Sequence, residues 1–145
     1  MPALWVIVLV AAAGGAAVAL QAQLVGLIDT RLGTLEAIFF TYGVGGVLAA
    51  ALMLLARGGN LAEWRELPGY AYLAGVFGLV IIGAISYGVA RLGVVRGLLL
   101  VTLSQFLVSA LIDQFGLFGA DVQPVTLHKI AGILLLLAGG WLVLR

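Results

Sequence analysis

The chain has 145 residues, the length of one domain, with 64% of them hydrophobic, only 9% charged, and a mean hydropathy of +1.26. A soluble domain carries about 25% charged residues and still exposes roughly 30% of the surface its unfolded chain shows; seven basic and six acidic side chains cannot clothe such a surface, so lipid is the solvent for most of this protein. A net charge of +1 and the absence of cysteine exclude a basic nucleic-acid face, disulfides and thiolate metal sites.

The first apolar segment runs over residues 3–28 without a charge. It has no basic n-region and is too long for the apolar core of a secretory signal, so it reads as a membrane helix. Gly14, Ala17 and Gln21 share one face through three-then-four spacing. That face is either a small-residue packing groove with Gln21 as interhelical glue, or part of a solute pathway. The second segment covers 35–56, with Glu36 at its start and Thr41, Tyr42, Gly43 and Gly45-Gly46 inside. A turn-rich connection follows, punctuated by Gly58-Gly59-Asn60 and Pro68. The third segment covers 70–90 and carries Gly75, Gly78, Gly83, Ser86 and Tyr87.

The fourth segment, 97–118, is the most polar. Thr102, Gln105, Ser109 and Asp113 follow one another at spacings of three, four and four, which places them on one helix face. Such a stripe on a Leu/Val-rich helix faces protein or water, either as a pathway lining or as glue worth about 0.6 kcal/mol per contact. Asp113 is read as the only carboxylate well inside a span, with Arg57, Arg65 or Lys129 as available partners; an intramembrane acid is by default a functional candidate. The fifth segment, 130–144, is polar-free as far as Gly140 and flanked by His128, Lys129 and Arg145. Its Gly132 and Gly139, seven apart, mark a smooth face for packing between subunits.

Four segments reach the roughly 20 residues that span a 30 Å bilayer core, and the fifth is shorter by an amount that flanking Lys and Arg absorb by snorkelling. Barrel strands would alternate apolar and polar residues, and runs such as Leu98–Val101 do not. The expected architecture is therefore one all-α integral-membrane domain over 1–145 with five transmembrane helices. There is no Ser/His/Asp set, HExxH motif or phosphate-binding loop, so no enzyme and no cofactor or metal are expected.

An odd helix count puts the termini on opposite faces. Arg57, Arg65 and Lys129 lie on the N-terminal face, and Arg31, Arg91, Arg96 and Arg145 on the other. Orientation follows an excess of basic residues on the cytoplasmic side. Three against four is almost no excess, so both orientations are expected to insert. The assembly that follows is an antiparallel homodimer of ten helices, the inverted-repeat arrangement of secondary transporters, with its site at the repeat interface.

The glycine pair ahead of Gln21, Ser104-Gln105 followed by Asp113, and the terminal Gly-Gly-Trp-Leu-Val resemble the YdcZ-like family of small bacterial inner-membrane proteins in the drug/metabolite transporter superfamily. The resemblance covers Gly14 to Arg145, and its most specific part runs from Leu103-Ser104-Gln105-Phe106 to Leu111-Ile112-Asp113. It implies single-domain members that pair antiparallel and fused members with two inverted halves. The chain departs from the family pattern at Val25 and Gly26, where many relatives carry an Asn after the helix-1 Gln. The expected function is movement of a small molecule by alternating access across the inner membrane, with Gln21 and the helix-4 stripe facing one cavity. A non-transporting membrane adaptor is the alternative.

Overall fold

Each segment is apolar all round, and a backbone in lipid must satisfy its own hydrogen bonds, so each becomes a helix. The computed structural model describes residues 3–145 and holds five helices of membrane-spanning length and composition: α1 (Leu4–Leu32), α2 (Thr34–Leu55), α3 (Leu73–Leu92), α4 (Val94–Phe115) and α5 (Leu127–Leu144). Two short 3-10 turns, Leu61–Glu66 and Gly69–Tyr72, join α2 to α3.

Single glycines make the other two tight turns. Gly33 (φ 117°) donates its N–H to the Asp29 carbonyl at 3.0 Å, and its own carbonyl accepts from Ala37 N–H at 3.1 Å. Gly93 (φ 82°) does the same with Val89 at 2.9 Å and Gly97 at 3.0 Å. Each glycine thus closes one helix and opens the next, in backbone conformations that a Cβ would disfavour.

These turns are shorter than the charge pattern suggested. Asp29 and Arg31 belong to α1, Arg91 to α3 and Arg96 to α4. Arginines in the last turns of α1 and α3 complement the negative ends of those helices, so charge did not interrupt them. At the far end of α4, Gly116 in the left-handed region stops the helix at Phe115, three residues before the expected limit. α5 starts three residues earlier than expected, because Thr126 Oγ1 accepts from the Lys129 N–H at 3.3 Å and caps it. The helix gains a length of 18 residues.

The two glycine-turned hairpins repeat one pattern at an offset of sixty residues. Arg31-Leu32-Gly33 recurs as Arg91-Leu92-Gly93. The buried residues of α1 and α2 are Ala22, Val25, Gly26, Asp29 and Ala37; those of α3 and α4 are Ile82, Ile85, Ser86, Val89 and Gly97. The two sets correspond position for position. α3 is the central helix, packing on α1, α2 and α4, whereas α5 packs on α4 alone among the described residues.

The core lies at the end of the bundle that holds the glycine turns. There Ala22, Val25, Ala37, Ile85 and Val89 form one cluster, backed by Ile28, Val94, Leu98 and Val101. Away from it the helices stay uncovered: Trp5, Leu9, Val47, Leu52, Phe77 and Leu111 are all exposed.

Candidate functional site

Gln21 sits one residue before the buried Ala22 and borders two neighbouring grooves. One, of 540 Å³, is lined by Gln21, Thr41, Tyr42, Gly45, Gly78 and Ile81, among others, and so lies among α1, α2 and α3. The other, of 490 Å³, runs between α1 and α2 and is lined by Gln21, Leu24, Ile28, Phe40, Thr41 and Val44, among others. Small residues open the first. The Tyr42 hydroxyl lies where a side chain on Gly78 would stand. Thr41 Oγ1 donates to the Ala37 carbonyl at 2.8 Å, so its free lone pairs, the Gln21 amide and the Tyr42 hydroxyl are the polar side-chain groups this space offers.

Gln105 and Ser109 line a third groove, of 490 Å³, between α3 and α4, together with Ser104, Val80, Ile81 and Val101. The Ser104 hydroxyl donates to the Leu100 carbonyl at 2.9 Å and keeps its lone pairs for the groove. Ile81 lines both this groove and the larger Gln21 groove. Within one chain, then, Gln21 and Gln105 border separate spaces that meet at one side chain of α3; the single cavity expected of them is one between two inverted chains.

The stripe on α4 divides. Thr102 is exposed and lies outside the residues lining that groove, and Ser104 stands in it instead. Asp113 is near the helix end, its Oδ2 3.6 Å from Lys129 Nζ, with both side chains about 40% exposed (43% and 38%). Its carbonyl accepts from the Gln123 N–H at 2.8 Å, and the neighbouring Gln114 Oε1 accepts from the Val125 N–H at 2.6 Å. This end of α4 fastens the connection to α5. On α5, Gly140 is the glycine that packs within the chain: a Cβ there would lie 2.7 Å from Leu103 Cδ1. Gly132 and Gly139 are exposed, with nothing among the described residues within 4 Å of a Cβ position.

The most buried carboxylate is one the sequence reading left in a loop. The Asp29 side chain is 4% exposed, inside α1, so Asp113 is not the only acid within a helical span. Asp29 Oδ2 accepts from Thr34 Oγ1 at 2.6 Å and from Ser86 Oγ at 3.0 Å. Its Oδ1 faces Arg91 Nη1 at 3.4 Å, a long contact for an ion pair. The Arg91 guanidinium is held by its own helix, 3.5 Å over the Tyr87 ring and donating to the Tyr87 carbonyl at 3.0 Å. Three helices thus meet at one carboxylate, with hydroxyls from α2 and α3 supplying the short bonds. The recurrence of Arg-Leu-Gly at 31–33 and 91–93 was the signal that could have found it, because aligning the repeats brings Asp29 into register with a core valine.

A family model described as "Putative inner membrane exporter, YdcZ" matches residues 6–142. Neither the curated proteins nor the solved structures yield a match. The chain belongs to the YdcZ family, and with five helices of spanning length and composition it is an inner-membrane protein of a transporter class, which is not an enzyme class.

Proposed function

We propose that this YdcZ-family chain moves a small solute by alternating access as an antiparallel pair of five-helix protomers. The observation that carries the reading is the placement of Gln21, Thr41, Ser104, Gln105 and Ser109 in grooves that open on the flank of an otherwise apolar bundle. Lipid against those grooves would leave the Gln21 and Gln105 amides to be solvated by hydrocarbon, a cost that membrane helices avoid by facing protein or water. An inverted second copy roofs the grooves and turns them into an interior, which favours a solute path over a dry adaptor surface. The balance of three basic residues against four fits such a pair, because neither orientation is favoured.

Among the described residues no carboxylate lines these two grooves, so the solute is neutral, zwitterionic or amphiphilic and is held by amide and hydroxyl groups. A thermal-shift panel of small solutes on the purified protein provides the assay, repeated on Gln21→Leu and Gln105→Leu. Both variants keep their fold and self-association and lose the solute-induced shift. Retention of the full shift in both would place the path elsewhere.

A further inference from the structure

Two contacts join α1 to α3 at the same level, and the sixty-residue repeat makes them counterparts. At one, Gly26 receives Val89: a Cβ on Gly26 would lie 2.5 Å from Val89 Cγ1. At the other, Ser86 receives Asp29, with its hydroxyl donating to Oδ2 at 3.0 Å. Gly26 corresponds to Ser86, and Val89 to Asp29. The two contacts lie on opposite flanks of the helix pair. Val89 continues onto α4, where a Cβ on Gly97 would lie 3.0 Å from both its Cγ2 and its backbone nitrogen. Asp29 continues onto α2 through Thr34.

The repeat supplies an internal control for what the carboxylate is for. Valine on glycine holds one flank by packing alone, so holding the other flank does not call for an acid. An acid in a membrane span is costly, and a buried polar cluster is often no more stable than apolar residues of similar volume. The two contacts differ in what they cost to separate. Parting Val89 from Gly26 presents apolar surface to water. Parting Asp29 from Ser86 and Thr34 presents a carboxylate and two hydroxyls, all of which water solvates well. Arg91 already stands half in the open, at 48% exposure, and its hold on Tyr87 keeps it on α3 whether or not Asp29 stays beside it.

We propose that α1 and α3 form an asymmetric hinge at the closed end of the bundle. Gly26 on Val89 is the dry pivot, and Asp29 with Thr34, Ser86 and Arg91 is the flank that parts and admits water when this end opens. The proposal deepens the alternating-access reading and rests on it, because that mechanism requires the closed end to open.

The test makes the wet flank a copy of the dry one. Hydrogen–deuterium exchange is measured on the full chain in lipid nanodiscs without solute, comparing wild type with Asp29→Val/Ser86→Gly. The double variant should exchange at least tenfold more slowly over residues 25–37, while residues 89–97 stay unchanged. Asp29→Asn, which keeps acceptors for Ser86 and Thr34 and remains hydratable, should exchange like wild type. Equal or faster exchange in the double variant, or Asn behaving like the double variant, overturns the proposal. So does a double variant that fails to fold, since the positions would then not be equivalent. The readout needs no solute, so a failure of the transport reading shows separately, in the groove variants.

Discussion

At the turn end of the bundle Gly26 and Gly97 receive Val89 so closely that a Cβ would crowd it, whereas Gly14, Gly15, Gly45, Gly132 and Gly139 have nothing among the described residues within 4 Å of that position. One residue type therefore serves two purposes. Gly26 and Gly97 let the protomer close on itself, and the five uncovered glycines keep a smooth surface. Polar groups divide the same way: Ser86 and Thr34 donate to Asp29 at the turn end, while Gln21, Gln105 and Ser109 border open grooves. A chain in lipid gains little from burying apolar surface, so close packing and hydrogen bonds decide which parts associate. In the proposed pair, the turn end is the part that folds within one chain and the uncovered surface is the part that a second copy would meet.

Substitution at the two kinds of glycine should separate them most widely. Gly26→Leu forces a side chain into Val89 and the neighbouring backbone, and overpacking of this kind costs about 1–3 kcal/mol or more. Thermal unfolding in detergent should show a large loss of protomer stability. A Cβ at Gly139 has nothing within 4 Å among the described residues, so Gly139→Leu adds its side chain to an open surface. It should leave unfolding of the protomer unchanged and lower the dimer fraction seen by light scattering. An equal loss of stability in both variants would break the contrast.

The smallest effect is expected at the α4–α5 junction. A half-exposed ion pair is worth about 0–1 kcal/mol, and Asp113 and Lys129 are such a pair at 3.6 Å. Asp113→Asn should shift the melting temperature by no more than a few degrees and leave the solute response of the grooves intact. Loss of that response would put Asp113 on the pathway.

The five helices were legible in the sequence because segments solvated by lipid announce themselves by length and apolarity alone. The turn end was less legible. Charges were read as the limits of helices, yet Asp29 and Arg91 lie within them, and one glycine suffices to reverse the chain. Spacing placed Thr102 and Gln105 on a common face of α4, but which flank of that face opens depends on how α4 leans on α3, so Ser104 lines the groove where Thr102 was expected. On α5 the contact of Gly140 with Leu103 is likewise set by how α5 leans on α4 and not by spacing. Lys129 beside Asp113 was among the three partners that charge placement allowed.

Orientation tests the account most directly. The chain has no cysteine, so Leu92→Cys provides a single thiol at the exposed turn between α3 and α4. Labelling with a membrane-impermeant maleimide is compared in intact and permeabilised cells. An antiparallel homodimer predicts that about half of the chains react from outside and the rest only after permeabilisation, following the near-even split of basic residues. Reaction of all chains from one side would contradict the inverted pair.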